Sequence, residues 1–197
     1  MIRMSTKKIL CIRHGQSAYN AAFEATGIDP IIPDARLTPL GEQQVAVARE
    51  TLRDTHVDLV ITSPLTRALQ TAVGIFGGHK SNPRFLVEAL HRERVESSCD
   101  VGRSPALLFA EYPGLDFAHL AEVWWHELGE PDWRGVHVEP LDSMMDRIAK
   151  FREFLSARPE RSIAVIGHGT FFHQLVGVSF ANCAIIELEL EPEPEAA

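Results

Sequence analysis

Short, continuously apolar runs rich in β-branched residues recur along this chain, and a helix-forming segment follows each of them. The runs at 7–12, 57–62 and 162–166 have the length of strands that are buried on both faces. After the first run, Thr38 is a typical helix N-cap and Pro39 suits the first helical turn, which predicts a helix to about residue 54. This alternation favours an α/β fold, a three-layer α/β/α sandwich with a mostly parallel central sheet.

Residues 95–140 interrupt the alternation, because they hold four prolines and all three tryptophans. We interpret this segment as a helical insertion over the active site, and residues 191–197 as a disordered tail. At 197 residues the chain fits a single domain, 1–197. The other predicted elements are a helix from about 63 to 75, a strand at 85–88, an amphipathic helix at 141–157 and a last strand at 184–190.

Composition argues against several classes of function. A formal net charge of -8 is unfavourable for general nucleic-acid binding, and no apolar stretch approaches the ~20 residues of a membrane helix. The apolar run after the basic start ends at Arg13, too early for a signal peptide, so we expect a cytoplasmic protein. Cys11, Cys99 and Cys183 form no CxxC pair, which argues against a zinc ribbon or a disulfide framework.

Three of the predicted strands end in residues that suit phosphate chemistry. The first ends in Arg13-His14-Gly15, the second in Thr62-Ser63-Pro64 with Arg67 one turn later, and the fourth in Gly167-His168-Gly169. Ligands of open α/β sheets bind at the carboxyl ends of the strands, where these side chains would converge. Two guanidinium groups form a receptor for a phosphoryl group, and an imidazole nitrogen can act as its nucleophile.

These blocks, in this order, resemble the histidine phosphatase superfamily of phosphoglycerate-mutase-like proteins. The RHG signature at 13–15 is followed by Ser17 and Asn20, and GHG stands at 167–169. LTPLGEQQ at 37–44 and SPLTRALQTA at 63–72 match two further blocks. The segment from Glu93 to Pro105 is more similar to a phosphatase-like branch than to the true mutases.

The resemblance implies a role for each matching residue. His14 would attack phosphorus and become a phosphohistidine, and the backbone around Gly15 would fix its tautomer. The residues that would bind the phosphoryl group are Arg13, Gly15, Ser17, Asn20, Arg67 and His168. The resemblance implies neither a metal ion nor a cofactor. The histidines also argue against a metal site, because His168 and His173 are five residues apart and do not share a helix face.

A general acid must protonate the leaving oxygen, and in this family a glutamate just beyond the third strand does so. Glu88, Glu93 and Glu96 are the candidates. Glu93 matches best, because a basic residue follows it as in the family, and Glu96 comes next. Cys99 is predicted to lie in a loop near the pocket, as a candidate redox-sensitive thiol.

The leading function is hydrolysis of a small phosphomonoester, and the partner is then a small phosphorylated metabolite. The alternatives are a phosphoglycerate mutase, which needs extra cationic contacts, and a catalytically inactive member that binds a phosphorylated ligand. A homodimer is left open. Residues 95–140 carry nine acidic and two basic side chains, Arg103 and Arg134. If they cover the pocket, they would repel a second phosphate; otherwise the acids line only the solvent face.

Overall fold

The computed structural model describes residues 6–190, which form a five-stranded, mostly parallel sheet with helices on both faces. The strands are β1 (Lys7–Arg13), β2 (Leu59–Thr62), β3 (Arg84–Val87), β4 (Ser162–Gly167) and β5 (Ile185–Leu190). Their order in the sheet is β3-β2-β4-β1-β5, and only the edge strand β5 runs antiparallel to its neighbour. The α/β fold expected from the alternation of strands and helices is therefore confirmed.

The helices pack in two layers because successive strand residues point to opposite faces of the sheet. In β1, Leu10 and Ile12 belong to the core that faces α2 (Pro39–Leu52) and α3 (Thr66–Phe76). Ile9 and Cys11 pack on the other face, against α5 (Leu141–Ala157) and α6 (Gly169–Val176). Cys11 is fully buried there and packs in the core. The remaining helices are α1 (Ala18–Thr26) and α4 (Pro105–Glu111).

The strand register brings the three polar strand ends to one level. Arg13 at the end of β1 pairs with Gly167 at the end of β4, and Ile166 pairs with Thr62 at the end of β2. Directly after β1, the backbone N–H of His14 donates to the carbonyl of Gly167 at 3.0 Å. The carboxyl edge of the sheet therefore presents three adjacent loops.

The segment 95–140 has less helix than its composition led us to expect. It contains α4 and a single 3-10 turn at Ser98–Asp100, and the rest is irregular. Arginine side chains hold the irregular part: Arg103 contacts Asp34 at 2.6 Å, and Arg134 contacts Asp29 at 2.7 Å. Side-chain bonds to residues distant in sequence leave no periodic signal, so the sequence could not show them.

Two further details differ from the predicted elements. α3 begins at Thr66 instead of Ser63, because Leu65 has an extended conformation. α1 was not predicted, although Ser17 caps its N-terminus. The predicted tail at 191–197 lies outside the described residues. Among residues 6–190, no helix has the length and apolar character needed to cross a bilayer.

Candidate active site

The two histidines predicted for the site lie side by side at the ends of β1 and β4. The ring centroids of His14 and His168 are 5.3 Å apart. Both side chains are buried, at 3% and 0% exposure. Burial, reinforced by the nearby charge of Arg67, holds the pKa of each imidazole well below its usual range, so both rings are neutral near pH 7.

Two hydrogen bonds fix the tautomer of His14. Nδ1 lies 2.7 Å from the carbonyl oxygen of Gly15, which can only accept, so Nδ1 carries the proton. Nε2 lies 3.1 Å from Nε of Arg67, which can only donate, so Nε2 holds a lone pair. The two contacts specify the same tautomer, and the nucleophilic nitrogen is directed towards a guanidinium group.

Two glycines explain why the RHG and LTPLG blocks occur together. A Cβ on Gly41, in the first turn of α2, would lie 2.2 Å from the carbonyl oxygen of Gln16. A Cβ on Gly15 would lie 2.7 Å from the carbonyl oxygen of Gly41. The N–H of Gly15 also donates to Thr71 Oγ1 at 3.1 Å. This close backbone approach holds the loop that carries His14 against α2 and α3.

Arg67 is fixed by bonds along its whole guanidinium group. It is 2% exposed, and besides the His14 contact it donates to the carbonyl of Cys99 at 2.6 Å and to Asp100 Oδ1 at 2.9 Å. These partners come from the 3-10 turn at the start of the insertion. The sequence predicted Arg67 as a phosphate ligand but gave no sign that Asp100 would neutralise it.

Arg13 borders the opening of the site. Its Nη1 donates to the carbonyl of Phe180 at 2.5 Å, and its buried Nε has no protein partner among the described residues. A Cβ on Gly169 would lie 3.3 Å from its Cζ, so the glycine after His168 leaves room for the guanidinium group. Arg13 therefore keeps donor capacity for a ligand.

His168 ends β4 and is the N-cap residue of α6. Its Nε2 lies 2.8 Å from the hydroxyl of Ser63, at the end of β2. Its Nδ1 is buried and has no protein partner among the described residues. This leaves one ring nitrogen free to bond a phosphoryl oxygen beside His14.

Glu93 is the glutamate that the fold brings to the site. It lines a pocket of about 310 Å³ together with Arg13, Thr170 and His173. Its two oxygens accept from the N–H groups of Thr170 and Phe171 in the first turn of α6, each at 2.9 Å. Burial, and next the negative charge of Asp100, raise the pKa of Glu93 to about 7, although the hydrogen bonds from the backbone lower it.

The other two candidate acids have partners elsewhere. Glu96 is paired with Arg94 at 2.7 Å and its side chain is 41% exposed. Glu88 accepts from the N–H of Leu90 at 2.9 Å. Neither belongs to the residues that line the pocket with Arg13. The geometry therefore favours Glu93 as the acid.

Ser17 and Asn20 form a capping box at the start of α1. Asn20 Oδ1 accepts from the N–H and the hydroxyl of Ser17, each at 3.1 Å, and the Ser17 hydroxyl accepts from Asn20 N–H at 3.2 Å. Ser17 is fully buried and its hydroxyl is engaged in the helix cap, and its role in phosphate binding stays a prediction. Asn20 uses Oδ1 in the cap, so only its Nδ2 could serve a ligand.

Two side chains near the site differ from expectation. Cys99 is 5% exposed, and burial raises the pKa of its thiol, which makes it a poor candidate for redox sensing. His91 was overlooked. It is fully buried, stacks on Phe151 at 4.8 Å and contacts the carbonyl of Ile166 at 3.0 Å. Burial lowers the pKa of His91 to about 3, so the ring is neutral.

In the part of the chain that the structure describes, the other histidines do not form a metal site. His79 is 8% exposed and contacts the carbonyl of Leu52 at 3.1 Å. Among residues 6–190, no three His, Cys, Asp or Glu side chains are grouped as metal ligands are.

Comparison with known proteins shows the family of this chain. A family model described as the histidine phosphatase superfamily, branch 1, matches residues 9–180. A phosphoglycerate mutase-like protein of Arabidopsis thaliana is 32% identical, over 90% of this chain and 76% of its own. A glucosyl-3-phosphoglycerate phosphatase of Mycolicibacterium vanbaalenii is 26% identical, over 84% and 71% of the two chains.

Solved structures give the same fold. A mycobacterial glucosyl-3-phosphoglycerate phosphatase superposes with a TM-score of 0.60, covering 94% of this chain and 91% of that one at 21% identity. An α-ribazole phosphatase of Shigella flexneri has a TM-score of 0.58, with 86% and 78% covered at 20% identity. On the extent of the family match and the identity to its plant relative, this chain belongs to branch 1 of the histidine phosphatase superfamily.

Proposed function

We propose that this chain hydrolyses a small phosphomonoester through a phosphohistidine on His14. The observation that carries the proposal is the fixed tautomer of His14, whose Nε2 lone pair faces the guanidinium of Arg67. A neutral imidazole held in this way is a nucleophile at neutral pH. Relatives named as glucosyl-3-phosphoglycerate and phosphoserine phosphatases support a small ester as the substrate.

Substrate binding has to free the nucleophile. A phosphoryl oxygen is a stronger acceptor for an arginine N–H than a neutral imidazole is. The arriving phosphate therefore takes the Nε–H of Arg67 and releases the lone pair on His14 Nε2. Arg13 and the open Nδ1 of His168 supply further contacts to the phosphoryl oxygens.

In the first step, Nε2 of His14 forms a bond to phosphorus while the bond to the leaving oxygen breaks. Glu93 donates its proton to that oxygen and becomes a carboxylate, so the alcohol departs neutral. The raised pKa of Glu93, about 7, keeps a large share of the acid protonated at neutral pH.

In the second step, a water molecule attacks the phosphohistidine. The Glu93 carboxylate takes a proton from the water as its oxygen bonds to phosphorus, and the bond between Nε2 and phosphorus breaks. Inorganic phosphate leaves, His14 is neutral again and Glu93 is reprotonated. The cycle consumes one water and needs no other reactant.

Trapping the phosphorylated enzyme tests the proposal. The chain is mixed with ³²P-labelled phosphomonoester and quenched in alkaline detergent, because phosphohistidine survives base and not acid. We expect a base-stable, acid-labile label on wild type and none on His14→Ala. His56→Ala, a change at an exposed histidine, is the control and should be labelled normally. A label on Cys99 or on a serine would refute the mechanism.

The same mixtures separate the alternatives. Release of inorganic phosphate indicates a phosphatase, whereas transfer of the label to a second hydroxyl of phosphoglycerate indicates a mutase. Binding of the ester without either product indicates an inactive phospholigand-binding member. We expect inorganic phosphate, because a mutase needs extra cationic contacts. Among the described residues, Arg13 is the only arginine or lysine that lines this pocket.

A further inference from the structure

Asp100 is the most fully engaged carboxylate near the site. Its side chain is 4% exposed, and Oδ1 accepts from Arg67 Nη2 at 2.9 Å. Oδ2 accepts from the backbone N–H of Ser97 at 3.0 Å and of Glu96 at 3.3 Å. These contacts anchor the 3-10 turn at the start of the insertion to the arginine that contacts His14.

These contacts fix the orientation of the guanidinium group of Arg67. Nη2 is held by Asp100 and Nη1 by the carbonyl of Cys99, which leaves the Nε–H directed at His14 Nε2. A charge-assisted bond between two buried groups restricts the arginine far more than an exposed ion pair would. The position of the turn therefore determines where the positive charge lies.

Asp100 also acts on Glu93 through space. Asp100 is buried and Glu93 is partly buried, and the negative charge of Asp100 opposes ionisation of Glu93, which raises the pKa of Glu93. Burial also raises the pKa of Asp100, but its carboxylate accepts from the charged guanidinium of Arg67, whereas Glu93 accepts only from backbone N–H groups. We therefore place the proton of the pair on Glu93. The other charged or titratable groups that act on Glu93 are Arg13 from β1, Arg67 from α3, Cys99 from the 3-10 turn and His173 from α6.

We propose that Asp100 is a positioning residue that couples the two halves of the reaction. Its Oδ1 orients Arg67 towards His14, and its negative charge retains the proton on the general acid Glu93. The inference rests on the proposed phosphatase function, and it extends that function to a carboxylate that touches neither the phosphate nor the leaving group.

The test compares Asp100→Asn with Asp132→Asn. Both aspartates lie in the insertion, pair with an arginine and accept backbone N–H bonds. The partner of Asp132, Arg134, supports the same turn through the carbonyl of Glu96, but Asp132 has no contact with Arg67 among the described residues, so this control separates support of the turn from the bond to Arg67. Each variant is assayed from pH 5 to 9 with a nitrophenyl phosphate and with an alkyl phosphate. Inhibition by inorganic phosphate is measured in parallel.

For Asp100→Asn, kcat should fall about 10- to 100-fold with both substrates, because Arg67 loses its charge-assisted anchor. Inhibition by phosphate should not weaken, since a negative charge near the anion has been removed. A disordered loop would instead weaken phosphate binding along with kcat. The alkaline limb for the alkyl phosphate should move down by about one pH unit, because Glu93 loses its proton more easily.

Carbon-13 NMR of the Glu93 carboxyl gives a readout that does not depend on turnover. The resonance is assigned by its loss in Glu93→Gln and titrated in wild type and in Asp100→Asn. We expect Glu93 to titrate near neutral pH in wild type and lower in the variant. If Asp100→Asn does not fold, a wild-type titration of Glu93 at the ordinary value of a glutamate would still refute the coupling.

Three other results would overturn the inference: an alkaline limb that does not move, a weaker phosphate inhibition in step with kcat, or the same losses in Asp132→Asn. A wild type that hydrolyses no phosphomonoester would refute the proposed function instead. In that case the NMR titration alone still decides whether Asp100 controls the proton on Glu93.

Discussion

Neutralising the carboxylate of Glu139 is predicted to destabilise this protein strongly. Its side chain is fully buried. Arg147 donates from Nε to Oε1 at 2.8 Å and from Nη2 to Oε2 at 2.7 Å, and Nη2 of Arg92 lies 3.2 Å from Oε1. Nη1 of Arg147 also donates to the carbonyls of Leu90 and Arg92, in the loop that leads to Glu93. The change Glu139→Gln keeps the shape of the side chain and removes its charge.

The expected loss of stability follows from the two arginines that would remain buried after the charge of Glu139 is removed. Two arginines that are about nine-tenths buried would lose their counter-charge, and removing one partner of a buried ion pair costs about 3–5 kcal/mol. For a chain of this size that corresponds to a fall in Tm of about 6–20 °C. Because Arg147 holds the loop before Glu93, the variant should also lose phosphatase activity at temperatures where it remains folded.

The pH dependence gives the prediction a second test. Arg147 and Arg92 hold the pKa of Glu139 below its usual range against the effect of burial. A carboxyl with a lowered folded-state pKa stabilises the protein above its unfolded-state pKa, and this contribution is lost as the pH falls. The difference in unfolding free energy between wild type and Glu139→Gln should be largest above about pH 5 and shrink below about pH 4.

Urea unfolding and thermal scans at pH 7 and pH 4 measure both effects. Glu50→Gln is the matched control, because Glu50 pairs with Arg53 at 3.0 Å with both side chains mostly exposed. An exposed pair contributes about 0–1 kcal/mol, so the control should hardly change Tm. If Glu139→Gln also costs less than about 1 kcal/mol at pH 7, the reasoning from burial is wrong.

Two further changes test the acid and the loop that carries His14. Glu93→Gln should reduce turnover of an alkyl phosphate by about 10²-fold and of a nitrophenyl phosphate much less, since only the basic leaving oxygen needs a proton; equal losses in parallel rate assays would contradict the acid role. Gly41→Ala should destabilise the fold by about 1–3 kcal/mol in urea unfolding, because its Cβ would lie 2.2 Å from the carbonyl of Gln16; an unchanged stability would show that this contact relaxes freely.

The strand ends were predictable because parallel strands in one sheet finish at one edge. Arg13, His14 and His168 stand at or directly after buried apolar runs, so their meeting depends only on the strands being parallel. The family motifs then gave expected roles to residues that the alternation of strands and helices had already brought together.

What the sequence could not show is which charges neutralise each other. Asp100 and Glu139 looked like two members of an acidic surface, yet both are buried against arginines that lie 33 and 8 residues away. Such pairs depend on how an irregular segment folds back on the sheet, and no period in the sequence records it. His91 was overlooked for the same reason, since its partners Phe151 and Ile166 are distant in the chain.

The pairing of acidic side chains with arginines changes the argument about a second phosphate on the substrate. Five of the nine acids in 95–140 are paired with arginines: Glu96, Asp100, Glu111, Asp132 and Glu139. The other four, Asp116, Glu122, Glu127 and Glu130, are exposed. A negative surface that covers the pocket and repels a second phosphate therefore has little support. The alternative, in which the acids line only the solvent face of the insertion, fits better.

A preference for monophosphates is still predicted, for a different reason. The pocket beside Glu93 is lined by one arginine, Arg13, which the first phosphoryl group already uses. A second phosphate would find no further arginine or lysine among the described lining residues, so it would lose hydration without gaining an ion pair. This preference should persist at moderate salt, whereas one caused by repulsion would fade.

Adding a cation to the pocket wall tests this directly. Ser179 lines the pocket and is exposed, so Ser179→Arg can place a guanidinium there without disturbing the core. We expect the ratio of kcat/KM for a sugar bisphosphate over its monophosphate to rise about 2- to 5-fold, as an exposed ion pair would give. Ala181→Arg, an exposed change nearby that does not line the pocket, should leave the ratio unchanged. A wild type that already prefers the bisphosphate, with a preference that salt weakens, would mean that cations other than Arg13 reach the substrate.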